Sequence, residues 1–145
     1  MGVAKSRRNP NEFLETFAKL KRTLSSLAQG AYAELEIGTS QAKFVRHIGA
    51  AGQISQAELA RQTTTDPTLT GRIIGTLIER GWVKRDRSEE DRREYVLQLT
   101  AAGKRAQGQI EKAREALAAR VLDRLDDKDI DEFDRIVDKI VSVFS

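Results

Sequence analysis

The chain has 145 residues, of which 39% are hydrophobic and 32% are charged, and its formal net charge is +3. That length predicts one domain with a buried core. The sequence contains no cysteine and one histidine, His47. This excludes disulfides, thiol chemistry and the multi-residue zinc or catalytic clusters that need such side chains. We therefore expect neither an enzyme nor a metal or cofactor site.

The charge is unevenly distributed along the chain. The net charge is +4 over residues 1–52, +2 over 53–105 and −3 over 106–145, which indicates separate roles for a basic and an acidic part. No stretch reaches the roughly 18 apolar residues of a membrane-spanning helix, and the charged start lacks the apolar core of a signal peptide. We expect a cytoplasmic protein that does not contact a membrane.

The first predicted element is a long amphipathic helix over about residues 11–36. Asn9-Pro10 is typical of a helix start, and apolar residues follow at steps of three and four. These are Phe13, Phe17, Leu20, Leu24, Leu27, Ala31 and Leu35. A shorter helix is predicted over about residues 41–50, between two glycine-containing segments.

Two further helix starts lie close together in the sequence. Ser55-Gln56-Ala57-Glu58 has the pattern of a capping box, and Asp66-Pro67 places an N-cap acid before a proline suited to the first helical position. The second of these helices is predicted to end near Gly81. Its predicted buried side consists of Leu69, Ile73, Ile74, Leu77 and Ile78. Two helices joined by a few residues predict a helix-turn-helix.

The remaining elements are a hairpin and two helices. After Gly81 the period changes to two, which predicts strands at residues 82–85 and 94–99 around a charged tip. Thr100 is the predicted cap of a helix reaching about residue 125, and Asp126 with Asp129 resembles a second capping box. The fold class is therefore mainly α with a small β-hairpin, a winged helix-turn-helix with terminal helices on both sides.

One face of the helix that starts at Asp66 has side chains suited to DNA bases. Thr68, Arg72 and Thr76 are spaced at i, i+4 and i+8; arginine can bind a guanine edge, and threonine can contact bases or a thymine methyl. Gly71 and Gly75 beside them would let the backbone approach a groove closely. The alternatives are a face that is merely solvated, or glycines that seat a neighbouring helix.

The hairpin adds six cations within fourteen residues: Arg80, Lys84, Arg85, Arg87, Arg92 and Arg93. Cations on an extended loop suit phosphate contacts and insertion into a minor groove. Because acidic residues are interspersed among them, a salt-bridged surface hairpin is the alternative interpretation.

The order of elements, with several phrases of sequence, resembles the MarR (multiple antibiotic resistance regulator) family of bacterial and archaeal transcription factors. The matching segments are Ser55–Ala60, Leu77–Arg85, Asp91–Arg93 and Leu97–Gly103. The resemblance implies a winged-helix homodimer. Residues 1–37 and 104–145 would form the dimerisation region, and residues 38–103 the DNA-binding lobe.

The resemblance also implies how such a dimer works. The helix from Asp66 would enter the major groove, and the wing would reach the minor groove with Asp91 bracing Arg93. A small aromatic or phenolic effector would bind between the dimer helices and the lobe. Relatives often carry charged residues where this chain has Gly75 and Thr76, and the lack of cysteine separates it from the peroxide-sensing branch.

The sequence thus predicts a DNA-binding regulator of a pseudo-palindromic operator, a repressor that a small aromatic ligand releases. The alternative is a winged-helix protein-interaction module. The predicted DNA-binding residues are Ser55, Thr65, Thr68, Thr70, Gly71, Arg72, Thr76, Arg85, Arg87, Asp91, Arg92 and Arg93. The predicted dimerisation residues are Phe13, Phe17, Leu20, Ile130, Phe133, Val137, Ile140 and Phe144.

Overall fold

A computed structural model describes residues 9–145, which form six helices and a small antiparallel sheet. The predicted mainly helical, winged helix-turn-helix class is confirmed. In chain order the elements are α1 Pro10–Glu34, α2 Thr39–Ala51, β1 Ile54–Ser55, α3 Gln56–Gln62, α4 Pro67–Glu79, β2 Val83–Arg87, β3 Tyr95–Leu99, α5 Ala101–Leu122 and α6 Asp127–Val143. Residues 1–8, the start of the predicted dimerisation region, lie outside the described residues.

Local capping explains where the predicted helices begin. The side chains of Ser55, Asp66, Thr100 and Asp126 each accept the backbone N–H of the third residue in the helix that follows. Such caps satisfy N–H groups that have no partner within the helix. The complete, reciprocal capping box forms at Asp126.

The predicted capping box at Ser55 is only half formed. Ser55 Oγ accepts the N–H of Glu58 at 3.1 Å, but the Glu58 carboxylate accepts from the guanidinium of Arg61 instead of reaching back. Hydrogen bonding to Arg61 lowers the pKa of Glu58. The N-terminus of α3 therefore has the side-chain cap from Ser55 but lacks the reciprocal hydrogen bond to Glu58.

The predicted hairpin is present as β2 and β3, and a short third strand joins it in the order β1-β3-β2. The short strand β1 pairs with β3 through Ile54 opposite Leu97 and Ser55 opposite Val96. This pairing fastens the start of α3 to the base of the wing.

The chain leaves α4 through a glycine and packs closely against the start of α5. Gly81 has a φ of +77°, and the N–H groups of Gly81 and Trp82 donate to the last turn of α4, at Ile78 O and Leu77 O. A Cβ on Gly103 would lie 2.0 Å from the carbonyl oxygen of Trp82. Position 103 therefore admits only glycine without a shift of backbone.

The core lies inside the winged lobe. Its largest fully buried side chains come from α2, α3, α4, β3 and the first half of α5: Phe44, Ile48, Leu59, Ile74, Leu77, Leu97 and Ile110. The predicted buried face of α4 was wrong at Leu69, which is 40% exposed, because α4 turns Thr70, Ile74 and Leu77 toward the core.

The terminal helices keep much of their apolar surface exposed within one chain. No residue of α6 is buried. Among the predicted dimerisation residues, Phe13, Phe17, Leu20, Phe133 and Phe144 are all exposed. No helix of residues 9–145 is both long and apolar enough to cross a membrane.

Candidate nucleic-acid interface

The outward face of α4 carries the predicted base-reading side chains. Thr68 and Arg72 are exposed, while Thr76 is partly buried and donates its hydroxyl to the carbonyl of Arg72 at 3.2 Å. Arg72 forms no ion pair with any described residue. Its guanidinium donors are therefore available to an external acceptor.

The backbone of this face is open. A Cβ on Gly75 would meet nothing within 4 Å, and one on Gly71 would meet only the side chain of Gln56 at 3.6 Å. The alternative in which these glycines seat a neighbouring helix is therefore not observed at Gly75, whereas at Gly71 a side chain of α3 lies at an ordinary contact distance. The open face lets another molecule approach the α4 backbone.

Thr70 does not belong to this surface, and its prediction as a DNA-binding residue was wrong. The side chain is completely buried, and its hydroxyl donates to the carbonyl of Asp66 at 2.8 Å. Because its polar group is satisfied inside its own helix, Thr70 packs in the core at no hydrogen-bonding cost. Leu69, one position earlier, faces outward instead.

Ser55 and Thr65 are both half-buried and engaged in local hydrogen bonds. Ser55 caps α3, and the hydroxyl of Thr65 donates to the carbonyl of Thr63 at 3.1 Å. Ser55 precedes α3, and Thr65 lies in the turn between α3 and α4. DNA contact by either residue remains a prediction.

Sequence reasoning missed Leu69 as a member of the outward face. It is a large, exposed apolar side chain next to Thr68 in the first turn of α4. An apolar side chain in this position suits contact with a thymine methyl group. The sequence contains no signal that would have found it, because the apolar stripe of α4 is too wide to show which residues face the core. Only the observed burial of Ile74 and Leu77 places Leu69 on the outer face.

The cations of the wing fall into distinct groups. Arg80 makes its contacts within the lobe. It donates hydrogen bonds to the carbonyl of Glu36 and to Gln41 Oε1, both at 2.8 Å, and its guanidinium lies over the Trp82 ring. Arg85, Arg87 and Arg92 are exposed and form no ion pair within the described residues.

Arg93 and Asp91 form a local brace at the tip of the wing. Asp91 Oδ1 accepts the backbone N–H of Arg93 at 3.0 Å and its Nε–H at 3.1 Å. These hydrogen bonds lower the pKa of Asp91. The Arg93 side chain is nevertheless 91% exposed, so the brace orients a cation that still projects from the wing.

The alternative interpretation, in which the hairpin is a salt-bridged surface, applies to only some of its cations. Lys84 lies 3.8 Å from Asp86, and Arg93 pairs with Asp91. The other exposed wing arginines remain unpaired within residues 9–145. Two exposed surfaces thus offer hydrogen-bond donors, the outward face of α4 and the cationic wing.

A helix-turn-helix followed by a cationic antiparallel wing defines the winged helix-turn-helix class. Within that class, residues 39–95 match the model of the MarR family. The resemblance predicted from the sequence is therefore confirmed over the winged lobe, which matches the MarR-family model.

Solved structures share the fold over nearly the whole chain. A MarR transcriptional regulator from Methanosarcina mazei Go1 is 25% identical with a TM-score of 0.80, over 90% of this chain and 95% of that one. A cysteine-to-serine mutant of MarR from E. coli, complexed with operator DNA, is 20% identical with a TM-score of 0.76, over 92% and 99%. The YusO protein from Bacillus subtilis is 16% identical with a TM-score of 0.68, over 93% and 99%. No curated protein matches the chain in sequence.

Proposed function

We propose that the protein is a sequence-specific, double-stranded DNA-binding transcriptional regulator. The observation that carries this proposal is the outward face of α4, where Arg72 stands unpaired among the described residues on an open backbone, in one lobe with a wing of exposed arginines. The MarR mutant from E. coli, which shares this fold, is complexed with operator DNA. Arg72 would read base edges, and the wing would bind phosphates or a minor groove.

The regulator would act as a homodimer through the terminal helices. Exposed and half-buried apolar side chains of α1 and α6 line one groove: Phe13, Phe17, Leu20, Phe133, Ile136, Val137 and Ile140. A second copy would cover it, in line with the predicted division into residues 1–37 and 104–145 for dimerisation and residues 38–103 for DNA. Two α4 helices would then read half-sites about 34 Å apart on a pseudo-palindrome.

A titration of the chain's own promoter region tests DNA recognition. Arg72→Ala is expected to weaken binding to the preferred site by about 10- to 100-fold and to relax one position of it. Charge reversal at Arg93 is expected to weaken binding to every sequence and to reduce its salt dependence. Arg135→Ala, a change of the same type on α6, serves as the control. Equal affinity of wild type and Arg72→Ala for promoter and random DNA would overturn sequence-specific recognition.

Protein association that does not depend on salt, together with no DNA retention at low salt, would favour the alternative of an interaction module. Genomic footprinting would identify the operator and show whether the bound sites coincide with promoters that the protein represses.

We further propose that a small aromatic effector releases the repressor. Between α1, α2 and α5 lies a cavity of about 590 Å³ with apolar walls that include Leu24, Tyr32 and Leu117. Its basic side chains are Lys43, Arg46, His47 and Arg114. A largely apolar cavity with basic side chains in its lining suits an aromatic ring that carries a carboxylate or phenolate.

A pair of aromatic probes tests the effector proposal. Hydroxybenzoate is expected to lower the affinity for the operator, and uncharged benzyl alcohol is expected to do so far less. Arg46→Gln with Arg114→Gln should abolish this difference while basal DNA binding persists. Operator affinity that neither probe changes would overturn the assignment of the cavity to such ligands.

A further inference from the structure

Tyr95 lies where the core-facing side of the hairpin continues into the exposed wing. Val83 and Leu97 are buried on this side of the sheet. Because side chains alternate along a strand, Arg85 and Arg87 share that side of β2 with Val83. Tyr95, at the start of β3, is half-buried and pairs directly with Arg87.

Both arginines converge on the ring of this tyrosine. The guanidinium carbon of Arg85 lies over the ring at 4.4 Å from its centroid, and that of Arg87 at 4.3 Å. A guanidinium held over an aromatic face keeps its N–H donors free at its edge. One N–H of Arg87 also donates to the carbonyl of Arg92 at 3.1 Å, which ties this arginine to the wing tip.

Several acidic residues are close in sequence to these two arginines but form no ion pair with them in the described part of the chain. The wing segment contains Asp86, Glu89, Glu90, Asp91 and Glu94. Within the described residues, neither Arg85 nor Arg87 forms an ion pair with any of them. A carboxylate would neutralise the charge and occupy the donors of an arginine, whereas an aromatic ring does neither.

We propose that Tyr95 is a positioning residue that holds Arg85 and Arg87 ordered and charged, ready to bind DNA phosphates. The proposal rests on the proposed DNA-binding function and assigns a role within it. An arginine that is already ordered loses less conformational freedom when it binds. Tyr95 would therefore raise affinity for any DNA sequence without touching DNA itself.

A merely structural tyrosine would cover the end of the core and contribute only to folding. The two roles differ in their coupling to the arginines. A positioning effect requires Arg85 and Arg87, so it disappears when both are removed. A structural effect acts through the stability of the lobe and persists without them.

The test is a double-mutant cycle on the full chain, with fluorescence anisotropy of a labelled random-sequence duplex across a range of salt concentrations. The variants are Tyr95→Leu, Tyr95→Phe, Arg85→Ala with Arg87→Ala, and all three positions combined, each checked for thermal stability. Tyr95→Leu is expected to weaken binding about tenfold, since each cation–π contact is a modest interaction. Tyr95→Phe keeps the ring and is expected to bind like wild type.

The salt dependence distinguishes positioning from direct contact. Removing both arginines is expected to lower the slope of log K against log salt by about two. Tyr95→Leu should leave that slope unchanged, because the phosphate contacts still form, and it should have no effect in the arginine-free background. If Tyr95→Leu does not fold, Tyr95→Ile, whose β-branched side chain suits a strand, takes its place.

Several results would overturn the proposal. One is a folded Tyr95→Leu variant that binds DNA as tightly as wild type. A second is an equal loss of DNA affinity in Tyr95→Phe and Tyr95→Leu. A third is a loss of affinity on Tyr95→Leu that persists when Arg85 and Arg87 are both replaced. A wild-type protein that binds no duplex even at low salt would instead overturn the proposed function on which the inference rests.

Discussion

At the scale of single residues, Asp91 determines how the tip of the wing is held at different pH values. Hydrogen bonds from the Arg93 side chain and backbone lower the pKa of the Asp91 carboxyl. A lowered pKa means that the ion pair persists at every pH above the usual carboxyl range and is lost only as the pH falls through the lowered value. Across neutral and mildly acidic pH the brace should therefore stay ionised.

Asp91→Asn is expected to weaken DNA binding by about two- to fivefold, because the amide keeps an acceptor but loses the charge of an exposed pair. The ratio of the two affinities should stay constant between about pH 5 and 8, since hydrogen bonds from Arg93 lower the pKa of the wild-type Asp91 carboxyl below its ordinary range. Anisotropy titrations at several pH values measure this ratio.

Asp86→Asn is the matched control, since Asp86 faces Lys84 at the longer distance of 3.8 Å. It should have a smaller effect than Asp91→Asn. A ratio for Asp91→Asn that approaches one between pH 7 and pH 5 would contradict the assignment, because the brace would then be titrating in that range.

The sequence predicted the N-caps of the helices correctly, but it did not predict which face of α4 is buried. N-caps depend on side chains and N–H groups three residues apart, so the sequence contains all their partners. The buried face of α4 depends on the rest of the fold, and its apolar stripe is too wide to determine the rotation of the helix. The burial of Thr70 and the exposure of Leu69 follow from that rotation.

At the scale of elements, the same distinction between local and distant partners explains the missed strand. The wing strands show alternation over several residues, which a sequence can reveal. Strand β1 has two residues and exists only because Ile54 and Ser55 meet β3 about forty residues later. The position of Tyr95 beneath two arginines likewise depends on the register of β2 and β3, which the sequence did not predict.

The open backbone of α4 leads to a prediction in which stability and binding change in opposite directions. Gly75 lies in a helix interior, and a Cβ there meets nothing within 4 Å. Gly75→Ala is expected to stabilise the fold by about 0.5–1 kcal/mol because alanine loses less conformational entropy than glycine. The same methyl group should weaken operator binding if the backbone approaches a groove.

Gly108→Ala provides the control, because Gly108 lies in α5 and its Cβ would also meet nothing within 4 Å. It should stabilise the fold similarly and leave operator affinity unchanged. Urea unfolding and operator titration measure the two effects separately. Unchanged operator affinity in Gly75→Ala would contradict a close approach of DNA at this glycine.

At the scale of the whole molecule, the winged lobe has a buried apolar core, whereas the terminal helices leave large apolar side chains exposed. The lobe buries its own apolar side chains, whereas Phe133 is 53% exposed and Phe144 is 85% exposed on α6. Apolar patches of this kind are typical of surfaces that another protein covers. No side chain of α6 is buried, which fits the proposal that a second copy covers its apolar residues.

Phe133→Glu places a charge in the apolar groove between α1 and α6 and is expected to convert a wild-type dimer to monomers. The lobe should stay folded, because no residue of α6 belongs to its core. Operator affinity should fall by about 10²- to 10⁴-fold, since the two half-sites are no longer bound by linked α4 helices. Lys128→Glu alters charge at the start of the same helix outside the groove and should remain dimeric. Sedimentation velocity measures the assembly, and a wild-type protein that sediments as a monomer at micromolar concentration would contradict the role proposed for this groove.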